Sequence, residues 1–529
     1  MKKTIFLLTM LAMLAWGKKF YGDDPLAAEP KNRNIREAQN RKLNNYYDLF
    51  SHQFANLGER HPKDGPPIRA KGVNTLGEPM DGAWWERRHY YRRMSLEELK
   101  RGPGNSNFPS MEGKWTVVSA KSEGVTPSFS IRDVKNRLYI ITFDPLSNPE
   151  MATSAETIVS RIFYALGYHV QENYLVHFSP DQLVVGEGVN IPDRRGKPRR
   201  MTQEDLQLIF AKVPQQKDGK YRAIALLGLA GEPLGPPRYY GTRRDDSNDV
   251  IPHEHRRELR GMHVIDSWVD HDESRAINNL DVLYKDGGMQ YVKHFMLGFG
   301  STLGSSTEKA NSARSGSYFF SWKDSAKQLF TLGLVPPYWA FAKYPDYPSA
   351  GRFEWKVFDP EKWVPEYPNP AFRNRLADDE FWGAKLVTAF SDEDLRALVS
   401  TAEMSDPKAA AWLVECLAGR RNKIGKHYFA KLLPFDQFQV EGEELRWVDL
   451  GAKLGYMPEA DATLQWFVFD NETEKKTMLS GQTSRRLPLV AGRPFDGYYG
   501  ATITNTKNPK QTVDVYLRGQ NVVGIERTW

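Results

Sequence analysis

Residues 252–304 read PHEHRRELRGMHVIDSWVDHDESRAINNLDVLYKDGGMQYVKHFMLGFGSTLG, and they hold a dense set of closely spaced polar residues. Proline is tolerated in a first helical turn because its missing N–H would have no partner there, and Leu259, Met262, Ile265 and Val269 then recur at helical spacing. The spacing predicts an amphipathic helix of about four turns that starts at Pro252 and ends in Asp270, His271 and Asp272. Asn278 follows in the same polar loop, apolar residues restart at Leu280, and residues 292–297 predict a short buried strand that Gly298, Phe299 and Gly300 end.

An Asp followed closely by an Asn, then a strand and a second short loop, is the layout of a phosphoryl-transfer site. One carboxylate orients or deprotonates the acceptor, while the Asn and an Asp on the second loop hold magnesium against the phosphates. The runs WVDHDESRAINNLD and HFMLGFGSTLGS resemble an uncharacterised family of exported bacterial proteins, whose pattern is W-x-N-H-D-(x5)-N followed by H-x-L-x-D-F-G-S-T-L-G-S. The resemblance runs continuously from about residue 115 to 305 and implies a protein-kinase-like core of the loose HipA, CotH and phosphoinositide-kinase type. It gives Asp272 the catalytic role and Asn278 a place on the nucleotide and its metal. The chain departs from the pattern at Gly298, where the family has a metal-binding Asp. Magnesium takes oxygen ligands in near-octahedral geometry and glycine offers none, so Asp281 or Asp270 would have to substitute.

Upstream, residues 115–120, 129–133 and 137–143 predict three antiparallel strands. Asp144 and Pro145 break the sheet, and a helix follows with Ala155, Ile158, Val159, Ile162, Phe163 and Leu166 along its apolar face. Three strands and then a helix is the order of a kinase-like small lobe, where the first turn covers the phosphates, the third strand carries a lysine and the helix carries its glutamate partner. Glu156 is placed for the glutamate. The family's third strand reads Y-x-x-K-F-D-P, and this chain has Thr142 at the lysine, which leaves Lys121 as the nearby cation. The first turn, KSEGVTPS, holds Gly124 but has Ser128 where a second glycine is expected. With the lysine and the metal-binding Asp both replaced, a site that depends on electrostatic stabilisation loses two of its groups, each commonly worth a few kcal/mol.

The ends of the chain frame this core. Lys2 and Lys3 precede an apolar run ending at Trp16, with Ala15 and Gly17 at the small-residue positions of a cleavable export signal; the run is shorter than the roughly 20 residues a bilayer needs. Cys416 is the single cysteine, so no internal disulfide forms, and 72 basic against 66 acidic residues give a net +6, which does not argue for nucleic acid. Arg87, Arg88, Arg92 and Arg93 beside Trp84, Trp85, Tyr90 and Tyr91 read as a surface segment whose aromatics pack against the main domain. His253, His255, His263 and His271 raise a zinc-site reading, but residues 253 and 255 of a helix point about 200° apart, whereas helical two-histidine sites use i, i+4 spacing. Dense Trp, Tyr and Pro over 336–370 predict an irregular, well-packed connector, and helices are expected at 391–401 and 407–418, the second ended by Gly419.

The expected architecture is α+β. It comprises an export signal (1–17), an irregular wrapping extension (18–110), a kinase-like small lobe (111–186), a helical large lobe (187–435) and a small C-terminal β-sandwich (436–529). Because the charges are depleted, the function expected is that of an exported kinase-like protein working by binding, as a scaffold for a protein or envelope partner, with no transmembrane segment in the mature chain. An active phosphotransferase using ATP and magnesium is the alternative, and a histidine-ligated metal hydrolase the second.

Overall fold

The computed structural model describes residues 18–529 apart from 31, 32, 36, 56, 122–127, 194, 491, 492, 495 and 496, with backbone alone at Lys121, Val490, Arg493 and Pro494. The expected export signal and Gly124 lie outside the described residues. The chain is a mixed α+β protein.

The extension holds two short helices, α1 (Asn45–Phe54), capped by the Asn44 side chain, and α2 (Leu96–Arg101), closed by a Ser95/Glu98 capping box. The rest is irregular chain fastened by single bridges such as Trp85↔Tyr168 and Lys71↔Arg256. Trp84 and Trp85 are fully buried, and Trp85 Nε1 donates to the Leu166 carbonyl at 2.7 Å. That approach requires Gly167: its φ is +110°, and a Cβ there would stand 2.2 Å from the indole nitrogen. The neighbouring arginines find partners within the protein, Arg88 over the Tyr164 ring and Arg93 on Asp394.

Alternating apolar residues then build β1 (Trp115–Lys121), β2 (Ser128–Arg132) and β3 (Leu138–Thr142), followed by helix α3 (Met151–Ala165). Next come β4 (Asn173–Phe178), β5 (Leu183–Val185), the hairpin β6 (Asn190–Pro192) and β7 (Pro198–Arg200), helix α4 (Gln203–Phe210) and β8 (Tyr221–Leu227). The sheet order is β4-β8-β3-β2-β1-β5, antiparallel except for β1 with β5. Its fourth antiparallel partner, β8, comes from beyond residue 186, so the sheet reaches further along the chain than the expected small lobe. Strand β9 (Glu232–Gly235) belongs to a second sheet with the later hairpin.

Helix α5 (Arg257–Val269) starts five residues later than expected, and its polar side is buried as well as its apolar one, all 13 residues being inside. His253–His255 form a 3-10 turn, and Arg256 is extended because its neighbour pairs with the extension: the Lys71 N–H donates to the His255 carbonyl at 2.7 Å and the Arg256 guanidinium reaches Glu29 and Glu258. The polar residues of α5 meet opposite charges, Arg257 on Asp378 and Asp379 and Arg260 on Asp379. Pairing is what makes buried charge tolerable.

After α5 the chain forms β10 (Asn279–Asp286) and β11 (Met289–Met296), which extend β9 into a three-stranded sheet. Helix α6 (Trp322–Phe330) contains no buried residue, whereas the connector beyond it is irregular and buries Phe353, Phe358, Trp363 and Tyr367 in its second half. Helices α7 (Pro370–Arg373), α8 (Ala377–Thr388), α9 (Asp392–Ser400) and α10 (Pro407–Phe429) complete the core around α5. Gly419 does not end α10. It admits the Trp355 ring, which a Cβ would meet at 2.4 Å, and the next residue, Arg420, is buried between Phe353 and Phe358.

The C-terminal region has a ribbon, β12 (Phe435–Glu441) and β13 (Glu444–Asp449), a single turn α11 (Leu450–Lys453), and then β14 (Ala462–Asp470), β15 (Lys475–Met478), β16 (Leu489–Val490), β17 (Arg493–Pro494), β18 (Tyr498–Asn505), β19 (Thr512–Arg518) and β20 (Asn521–Thr528). Its largest sheet is five-stranded and antiparallel, β15-β14-β18-β19-β20, with β12-β13 a separate two-stranded sheet. Phe435 and Leu445 of the ribbon share a core with Trp466, Ile503 and Val515 on one face, and Phe20 of the extension packs with Phe467, Phe469 and Tyr516 on the other.

Candidate functional site

Asp270 ends α5 in the left-handed conformation, φ 57°, and turns the chain so that both His271 and Asp272 are buried. The His271 ring lies edge to face with Phe163 of α3 at 6.2 Å and 6.0 Å from Phe299, while Phe163 and Phe299 are 4.8 Å apart. Three rings therefore tie α3, the loop after α5 and the turn after β11 into one unit. Neither His271 nitrogen has a hydrogen-bond partner; its Nδ1 is 3.6 Å from Asp266 Oδ1.

Asp272 Oδ2 accepts from Asn311 Nδ2 at 3.0 Å and lies 3.0 Å from Ser315 Oγ, which is itself 2.7 Å from Asp270 Oδ2. The Ser315 hydroxyl has one proton for these two carboxylate oxygens, and the Asp270 oxygen is the nearer. Burial, and then the charges of Asp270, Glu366 and Glu273, push the Asp272 carboxyl well above the usual carboxylate range. Asp270 Oδ1 meanwhile accepts from Trp363 Nε1 at 2.9 Å and is 3.6 Å from Arg420. Asp272 Oδ1 is buried and without a partner.

Asn278 and Glu156 meet at the turn after β11. Asn278 Nδ2 donates to the Glu273 carbonyl at 2.7 Å, and a Cβ on Gly298 would lie 3.3 Å from the Asn278 side chain. An Asp at 298 would thus stand beside Asn278, as the family pattern has it; the exposed glycine leaves that place without a carboxylate. Glu156 Oε2 accepts the Gly300 N–H at 2.7 Å, and burial pushes its carboxyl up to about 7. Among the described residues no Lys or Arg pairs with it. Thr142 sits on β3 between Ser128 and Ile224, and Lys121, with backbone alone described, ends β1 opposite Ser128.

Asp281 does not serve as a replacement metal ligand. Its Oδ1 is 2.7 Å from His294 Nδ1 and its Oδ2 accepts from Arg243 Nη1 at 2.7 Å, an arrangement that holds its carboxyl below the usual range. The histidines do not cluster either: His253 pairs with Asp249, His255 with Glu59 and Arg260, and His263 with the Trp363 carbonyl. Among the described residues no group of three or more His, Cys, Asp or Glu is arranged to hold a metal ion. Of the two carboxylates the resemblance offers in place of the missing Asp, Asp281 is engaged by Arg243 and His294, and Asp270 by Trp363 and Ser315.

Asn311, Ser315, Trp363 and Arg420 complete the site and were not anticipated. The run NSARS carries no periodicity that would place Asn311 and Ser315, although the Trp and Pro density near Trp363 marks a packed segment.

No family model matches the chain, and no curated protein matches it. The solved structures that match include a Golgi casein kinase (9% identity, 62% of this chain and 74% of that one, TM-score 0.28) and the Golgi casein kinase with Mn/ADP bound (8%, 62% and 75%, TM-score 0.28). At that score the likeness carries no argument about this chain. No helix among the described residues is long and apolar enough to cross a membrane.

Proposed function

We propose that this is a kinase-like protein whose site has lost the groups of nucleotide catalysis and which works, outside the cytoplasm, by binding a protein or envelope partner. The observation that carries the reading is the pairing of Gly298 with Asn278, because the position from which a second metal ligand would reach the site is an exposed glycine whose Cβ direction meets the Asn278 side chain at 3.3 Å. Other features support it. Asp272 Oδ2 is engaged by Asn311 and Ser315 of its own chain, and Glu156 caps a turn instead of pairing with a lysine. The order of three strands and then α3, joined through the ring stack to both loops, supports the kinase-like part of the reading.

One observation favours turnover instead: Asp272 Oδ1, buried and without a partner, is the atom an acceptor hydroxyl would meet. A thermal-shift titration with ATP, ADP and GTP, each with and without magnesium, separates the two. A ligand at 100 times its Kd stabilises the native state by about 2.7 kcal/mol. No magnesium-dependent shift is expected with any nucleotide, and a clear one with ATP would replace the binding reading with the catalytic one.

A further inference from the structure

The segment after the site presents an apolar face to water. In α6, Trp322, Ala326, Leu329 and Phe330 fall on one side, and Trp322, Leu329 and Phe330 are 73%, 72% and 85% exposed, with Leu332 and Leu334 beyond them at 85% and 83%. Helix α1 does the same. Its Tyr46, Phe50 and Phe54 follow i, i+4, i+8 spacing and are all exposed, as is Tyr47. The two helices adjoin: Phe54 is 6.2 Å from Phe320, Phe320 is 4.8 Å from Trp322, and Gln53 Nε2 donates to the Phe320 carbonyl at 2.9 Å. Two elements far apart in sequence thus expose aromatic stripes in one neighbourhood. A helix of this length is marginal in water without a face to bury.

We propose that α1 and residues 319–335 form a surface that docks on an anionic lipid bilayer. The charge around it favours that occupant. Residues 311–345 carry Arg314, Lys323, Lys327 and Lys343 against Asp324 alone, and Arg41 and Lys42 precede α1. A short amphipathic helix with Trp, Phe and Leu on one side and lysines on the other is the form that lies in a membrane interface, where apolar insertion and attraction to anionic headgroups act together. The side chains project from the surface, as insertion into the headgroup region requires. A protein partner would be met by anchors set in a packed, water-excluded patch.

The test is hydrogen exchange on the full chain, with and without vesicles of phosphatidylcholine alone or mixed with phosphatidylglycerol, beside vesicle co-sedimentation. Slowed exchange in 319–335 and 45–54 with the anionic vesicles is expected. So is at least about tenfold weaker sedimentation of W322D/F330D, and weaker binding of K323E/K327E to the anionic vesicles alone. These residues are exposed, so the variants keep the fold. The proposal is overturned by absence of binding, by protection confined to other segments, or by sedimentation that both variants leave unchanged. It is equally overturned if the two segments are protected without vesicles and sedimentation velocity shows a dimer that W322D/F330D abolishes, which would make a second copy the occupant.

Discussion

Glu156 Oε2 accepts the N–H of Gly300 at 2.7 Å, so a carboxylate on α3 holds the turn that follows β11. In the layout the sequence resembles, this carboxylate pairs with a lysine; here it has become a fastening for backbone. Its chemistry follows from burial without a counter-charge.

Because burial raises the Glu156 carboxyl to about 7, the folded protein keeps a proton that the unfolded chain releases near the ordinary Glu value. The folded state binds more protons across that window, so this group's effect on stability is harmless below about pH 4.5 and becomes unfavourable as pH rises toward 7. E156Q keeps an oxygen for the Gly300 N–H and cannot ionise. Denaturant midpoints at pH 5 and pH 8 should therefore differ less in E156Q than in the wild type, with the variant the more stable at pH 8. An unchanged pH slope would show that Glu156 does not hold this proton. Asp272, Asp266 and Asp144 are raised in the same direction, so some slope remains.

Gly298 has φ +75°, a conformation that Asp tolerates at a cost of roughly 1 kcal/mol, and Asn278 needs to yield only a few tenths of an ångström to a new Cβ. G298D/T142K is expected to fold and to acquire an ATP-dependent thermal shift that requires magnesium and is absent from the wild type. A folded double variant with no such shift would mean that more than these two groups has been lost.

In α10, Gly419→Ala gains up to about 1 kcal/mol of helix propensity but places a Cβ 2.4 Å from the Trp355 ring, and overpacking of this kind costs about 1–3 kcal/mol. The balance is net destabilisation by about 1–2 kcal/mol, read as a lower urea midpoint. A rise would mean that the ring moves aside freely.

What the sequence disclosed follows the range of the forces involved. Strands β1 to β3 and helix α3 were legible because alternation and helical spacing are local, and so were the starts of α9 after Ser391 and of α10 at Pro407. The start of α5 was not, because Glu29 and Lys71, distant in sequence, hold Arg256 and His255 out of the helix. Gly419 has the composition of a helix end, and only the position of Trp355 shows it to be a contact. At the site, Asp272, Asn278 and Glu156 were singled out by pattern, and they lie by the turns after α5 and β11. The partners of Asp281, Arg243 and His294, come from other strands and loops, and the Asn311–Ser315 clasp on Asp272 leaves no mark in the sequence.

Phe20 closes one face of the C-terminal sheet, and Lys19 reaches Glu526 at 2.7 Å while Asn471 exchanges hydrogen bonds with the Phe20 backbone. Residues 18–20 are therefore seated by strands about 450 positions further along the chain. Their docking waits on β14, β19 and β20, a long-range closure that can follow only once that sheet has formed.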